Sequence, residues 1–104
     1  MGVTIFQGEV WWAEAEDKRR PVLIVTRSEA IPVLNRILVA PLTKTIRSIP
    51  TEVLLGPEQG LPVASVASFD NLQLIGKGYL TERVGALAAP GQHICRALSA
   101  MADC

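Results

Sequence analysis

The sequence predicts a mainly β fold: a small, partly open barrel capped by a single C-terminal helix. Three observations lead there. Short runs of β-branched and aliphatic residues, such as Val22 to Val25, Ile37 to Ala40 and Val63 to Phe69, recur between Gly, Pro and Asn breaks. The period then changes after Pro90, where Ile94, Leu98 and Met101 stand at i, i+4 and i+7. Finally, 104 residues with 49% hydrophobic content can build one real core but not two, so a single domain over 1–104 is expected.

The elements follow in order. Gln7 to Ala15 mixes aromatic and β-branched residues with partial alternation and reads as a first strand, with one of Trp11 and Trp12 facing inward. The polar run Glu14 to Arg19 reads as a hairpin connection. Pro21 fixes its own φ and extends Arg20, so it is expected to open the second strand. The unbroken apolar run behind it predicts a strand covered on both faces. Ser28 to Ile31 fits one helical turn ended by Pro32, and Asn35-Arg36 starts a third strand. That strand meets Pro41, which cannot donate to a ladder, so a bulge or an edge is expected there. Thr51 to Leu55 alternates as a short strand, Gly56 to Pro62 reads as a surface loop, and Val63 to Phe69 as the next strand. Asp70-Asn71 breaks the chain before Leu72 to Ile75, Gly76-Lys77-Gly78 turns it, and Tyr79 to Leu87 gives a last, weaker strand. The closing helix starts near Pro90 and faces inward with Ile94, Ala97, Leu98 and Met101.

Ten Lys plus Arg balance ten Asp plus Glu, so bulk charge gives no indiscriminate nucleic-acid or membrane binder. The distribution is uneven. Seven of the ten basic residues (Lys18, Arg19, Arg20, Arg27, Arg36, Lys44, Arg47) lie between 18 and 47, with Glu29 the one acid among them, and pairing of the strands would gather them into a basic face. No apolar run approaches a membrane span, and Met1-Gly2-Val3 does not open a leader, so a protein of the cytoplasm with no membrane association is expected. Phe6 stands where myristoylation needs a hydroxyl residue. Cys95 and Cys104 lack metal-ligand spacing and read as reduced thiols.

The chemistry on offer is narrow. The sole histidine, His93, falls in the predicted helix, and no nucleophile triad, metal-ligand set or glycine-rich phosphate loop is present, so neither a metal nor a cofactor is expected. Two stretches stand out: Arg19-Arg20-Pro21-Val22 and Pro41-Leu42-Thr43-Lys44-Thr45-Ile46-Arg47. In each, an apolar run adjoins Arg, Lys and Thr, an arrangement able to hold a phosphodiester, because guanidinium is permanently charged and forks onto phosphate oxygens. The plainer reading also stands: Arg19 and Arg20 as a solvated turn and Thr43 as an ordinary strand threonine. Asp70-Asn71 reads equally as a turn, and Glu14, Glu16 and Asp17 as a solvated hairpin tip.

In order along the chain, several segments resemble the MazF/PemK toxins of bacterial type II toxin-antitoxin systems. Gly8-Glu9-Val10-Trp11 is similar to the family's opening Gly-acid-aliphatic-aromatic strand, Arg20 to Val25 to its Arg-Pro-Val-Leu-Val motif, and Ala40 to Arg47 to its Pro-Ile/Leu-Thr segment. Pro50 to Val53, Gly60-Leu61 through Ser65-Val66-Ala67, Asp70-Asn71 in place of the frequent Asp-Gln, and Val84 to Leu87 complete a match over nearly the whole chain.

The resemblance implies an SH3-like barrel of the CcdB/MazF type, a homodimer and an mRNA interferase. Such an enzyme cuts single-stranded RNA without metal, leaves a 2′,3′-cyclic phosphate and a 5′-hydroxyl, and is neutralised by a cognate MazE-like antitoxin. It implies Arg20 and Thr43 as catalytic residues, with RNA contacts from Lys18, Arg19, Lys44, Thr45, Arg47, Asp70 and Asn71. A guanidinium stays protonated, which favours transition-state stabilisation and leaving-group assistance over base catalysis. Two departures bear on specificity: the Glu14 to Arg19 link is short and lacks glycine, and Ser68 stands where some relatives carry arginine. The alternatives on the same fold are a CcdB-like gyrase poison, which this chain's end Met101 to Cys104 fits poorly for want of tryptophan, and a non-catalytic SH3-like module, for which aromatics are scarce.

Overall fold

The computed structural model describes residues 4–15 and 18–102; the start Met1 to Val3, the acids Glu16 and Asp17, and Cys104 lie outside them. Seven strands and one helix follow one another: β1 (Glu9–Ala15), β2 (Lys18–Ile24), β3 (Arg36–Thr43), β4 (Glu52–Leu55), β5 (Ser65–Ser68), β6 (Gln73–Gly76), β7 (Leu80–Ala86) and α1 (Pro90–Met101). The strands are hydrogen-bonded in the order β4-β5-β3-β2-β1-β7, with β6 also on β3. The curled sheet leaves β4 and β7 as edges, so the barrel is partly open.

The apolar run of β2 explains itself in this sheet. Val22 and Ile24 pack with Trp11, Ile31, Ile37, Val39 and Leu80. Leu23 and Val25, pointing the other way, pack with Val10, Ala40, Phe69, Ile94 and Ala97. The strand is thus buried on both faces, as the continuous run predicts. Trp11 is the inward tryptophan and Trp12 is half-buried.

Pro21 sits differently from expectation, and Pro41 meets the edge alternative expected for it. Pro21 does not open β2 but lies within it, opposite Trp12. It is tolerated because β3 pairs only with Val22 to Ile24, which leaves β2 an edge on that side at Pro21. Pro41 makes no bulge. β6 pairs with β3 at Arg36 to Val39 and β5 pairs with it at Leu42 and Thr43. Pro41 stands in the gap between these two partners, where a missing N–H costs that edge no ladder bond. The register shifts occur instead between β1 and β7, at Val10/Trp11 and Trp12/Ala13.

Two local details also differ. The turn after β2 has two parts: the Ala30 N–H donates to Arg27 O at 3.0 Å, and a 3-10 turn covers Ile31–Val33 with Pro32 inside it. A proline in the first turn lacks only a donor that has no partner there. On α1, Ile94 and Ala97 are buried and Leu98 packs against the same core, but Met101 is 42% exposed. The last turn of the helix runs beyond the sheet it covers.

Candidate active site

The β2–β3 ladder builds the site. It pairs Val22 with Pro41, and the same register carried one step further on that face sets Arg20 across from Thr43. Both strands are leaving the ladder here: β2 runs on as part of the hairpin with β1, and β3 turns to pair with β5. The divergence opens a cleft of about 310 Å³ whose polar lining is Arg20, Thr43, Ser68, Asn71 and Gln73. Residues distant in sequence are thus brought to one hollow by strand pairing.

Thr43, Ser68 and Asn71 are held by hydrogen bonds. The Thr45 N–H donates to Thr43 Oγ1 at 3.2 Å, which occupies the hydroxyl as acceptor and leaves its proton to be donated. Asn71 Nδ2 donates to Ser68 Oγ at 2.9 Å. Thr51 Oγ1 donates to Asp70 Oδ2 at 2.6 Å, bracing the 3-10 turn Phe69–Asn71 that presents Asn71. Arg20 is exposed, and among the described residues no carboxylate pairs with it. The lining holds no histidine, carboxylate or thiol.

The candidate residues are distributed unequally. Arg20, Thr43 and Asn71 meet in the cleft, and Lys18 lies beside it on the same face of β2. Arg19 points the opposite way. Its guanidinium stacks 4.2 Å from the Trp12 ring centre and pairs with Glu82 at 3.0 Å and Glu14 at 3.7 Å. Asp70 is engaged by Thr51, and Lys44, Thr45 and Arg47 follow β3 on an exposed segment outside the cleft lining. Nor do the seven basic residues form one face: Lys18, Arg20 and Lys44 gather at one end of the β2–β3 ladder, while Arg27 and Arg36 lie at the other. Gln73 is not singled out by the sequence, and Ser68 only as a departure from relatives that carry arginine there. The signal for Gln73 was available, since it is the one polar side chain in the apolar run Leu72 to Ile75, and pairing with Val39 aims it at the Arg20 face.

At the Ile24 end of β2, away from Arg20, Gly8 and Glu9 act as a lock. Gly8 has φ +87°, donates to Ile24 O at 2.9 Å and accepts from the Leu87 N–H at 2.8 Å. Glu9 is buried; its Oε1 accepts from the Phe6 N–H (2.9 Å) and Trp11 Nε1 (3.0 Å), and its Oε2 from Arg83 Nε (2.7 Å). Burial alone would raise this carboxyl's pKa. The Arg83 hydrogen bond, the Phe6 and Trp11 donors and the Arg83 charge outweigh burial, and the net shift is downward.

Residues 6–101 match the model of the PemK-like, MazF-like toxins of type II toxin-antitoxin systems. The chain belongs to this family. It is 44% identical over 101 residues to the probable endoribonuclease MazF5 of Mycobacterium tuberculosis, covering 94% of this chain and 93% of that one. Over 73 residues it is 45% identical to the same organism's endoribonuclease MazF3, covering 70% and 71% of the two chains. Among solved structures, the M. tuberculosis toxin MazF-mt6 superimposes with a TM-score of 0.80 at 38% identity, over 89% of this chain and 95% of that one. A mycobacterial endoribonuclease in complex with its cognate antitoxin gives 0.77 at 28% identity, with 91% of each chain covered. The MazF/PemK motif residues now have physical roles: Gly8 and Glu9 lock the sheet, and Arg20 and Thr43 share a cleft.

Proposed function

We propose that this MazF/PemK-family chain is an endoribonuclease toxin that cuts single-stranded RNA without a metal, with Arg20 and Thr43 as its catalytic residues. The convergence of these two residues on one cleft carries the reading. RNA brings its own nucleophile. The 2′-oxygen attacks the adjacent phosphorus, the bond from phosphorus to the 5′-oxygen breaks, and the products are a 2′,3′-cyclic phosphate and a 5′-hydroxyl. The 2′-hydroxyl proton passes to solvent, since the cleft lining holds no histidine, carboxylate or thiol to receive it, and the leaving oxygen takes a proton from solvent. Arg20 forks onto the non-bridging oxygens and stabilises charge that peaks in the transition state. Thr43, its oxygen occupied by the Thr45 N–H, donates its proton to the same phosphate. Asn71, steadied by Ser68, adds an amide at the wall.

The same reading makes the chain 1–104 a single toxin domain that acts in the cytoplasm as a homodimer. A cognate antitoxin controls it through an acidic, apolar segment laid over the Lys18, Arg20 and Lys44 end of the sheet. The antitoxin complex of the mycobacterial relative supports this.

The test is cleavage of single-stranded RNA in excess chelator, with 5′-hydroxyl ends mapped. Arg20→Ala should lower cleavage by about 10²- to 10³-fold, and lysine should not restore it fully. Thr43→Val should fold normally and cleave poorly. Both act on one phosphate, so the double variant should lose less than the two losses combined. Full activity in Arg20→Ala, or activity that chelator abolishes and magnesium restores, would overturn the proposal.

A further inference from the structure

The cleft is half of a longer groove. Arg20 and Gln73 also line a second hollow of about 250 Å³, floored by Ala13, Val22 and Ile75 and walled by Lys18 and Tyr79. The two hollows share their boundary residues, so a strand with its phosphate at Arg20 continues into the second one. That hollow has an apolar floor, an aromatic wall, one amide and one cation. Pockets for drug-sized ligands measure about 300–1,000 Å³, so this smaller space suits one planar heterocycle and not a dinucleotide.

Tyr79 is prepared for that role. It is 53% exposed, so one face of the ring is open to a ligand. Its position is nevertheless set: the ring lies over Gly76, where an added Cβ would stand 3.3 Å from Tyr79 Cδ2. A tyrosine seated on bare backbone offers a rigid stacking surface at little entropic cost. Gln73 faces the same space from β6, and its amide can both donate to and accept from a base edge.

We infer that this second hollow is a base subsite, with Tyr79 stacking on a nucleotide adjoining the scissile phosphate and Gln73 reading its edge. It rests on the ribonuclease reading and adds a specificity element to it. Lys18 meets the next phosphate along the strand.

The experiment is steady-state cleavage of short single-stranded RNAs randomised around the cleaved bond, using the full chain. Tyr79→Ala should raise KM about 10- to 100-fold with a smaller change in kcat, because stacking is made in the ground state. Tyr79→Phe keeps the ring and should raise KM less than Tyr79→Ala does. Gln73→Ala should relax base preference at a single position next to the cut and leave the other positions unchanged. As a positional control, Gly76→Val keeps the tyrosine but displaces its ring and should raise KM as well. Unchanged KM in Tyr79→Ala, or an unchanged preference profile in Gln73→Ala, would overturn the subsite even if Arg20→Ala still lowers cleavage as expected. A parent protein that cleaves no RNA in the pool would overturn the ribonuclease reading and the subsite with it.

Discussion

Glu9 shows how one residue of the opening motif holds the sheet together through a buried charge. Its carboxylate is buried, yet three donors from Phe6, Trp11 and Arg83 keep it ionised. The folded pKa lies below the ordinary value of 4.5. The ionised group therefore contributes stability that is full above the unfolded value and is lost as pH falls through the folded one. Glu9→Gln should cost about 1–3 kcal/mol at pH 7, each kcal/mol lowering Tm by roughly 4–8 °C. Melts from pH 7 down to pH 3 should show parent and variant converging in acid. A constant gap across that range would mean that the charge is not the source of the stability. Arg83 is half exposed, so its share of the effect is reduced by solvent screening.

Among the elements, β3 organises the molecule by changing partners. It holds β2 on one edge and β6, then β5, on the other, and the change at Ala40-Pro41 splays the ladder open at Thr43. The junction of β1 with α1 is equally specific. Gly8 has φ +87°, and a Cβ there would come within 2.3 Å of Pro90 Cβ. Gly8→Ala should therefore cost roughly 2–4 kcal/mol, from left-handed backbone and overpacking together. Gly91, one residue beyond Pro90 and inside α1, has nothing within 4 Å of such a Cβ. Gly91→Ala should be stabilising by about 0.5–1 kcal/mol. Denaturant midpoints decide the contrast, and equal midpoints for the two variants would refute the packing account.

At the scale of the whole molecule, a neutral chain directs its charge through strand orientation. Lys18 and Arg20 share a face with the cleft, while Arg19 between them is turned away and matched by Glu14 and Glu82. Binding of a non-cleavable single strand should weaken with salt, and each lost phosphate contact should reduce the logarithmic slope by about 0.7. Lys18→Ala is expected to reduce the slope by that amount, and Arg19→Ala to leave it unchanged. Equal slopes for the two variants would show that facing does not sort these charges. No helix among the described residues is long and apolar enough to cross a membrane.

The sequence by itself determined the elements whose cause is local. Continuous apolar runs made two-sided strands, the helical period from Pro90 placed Ile94 and Ala97 inward, and Arg20 and Thr43 stood out because each ends such a run. Only the tertiary structure decided what depends on pairing between distant segments. The partner change of β3 makes Pro41 harmless, β6 brings Gln73 to the Arg20 face, and the Phe69–Asn71 turn delivers Asn71 while Thr51 engages Asp70. The two adjacent arginines make the division plain. Their identity is read directly, but which of them meets the cleft depends on a register that one residue's slip would reverse.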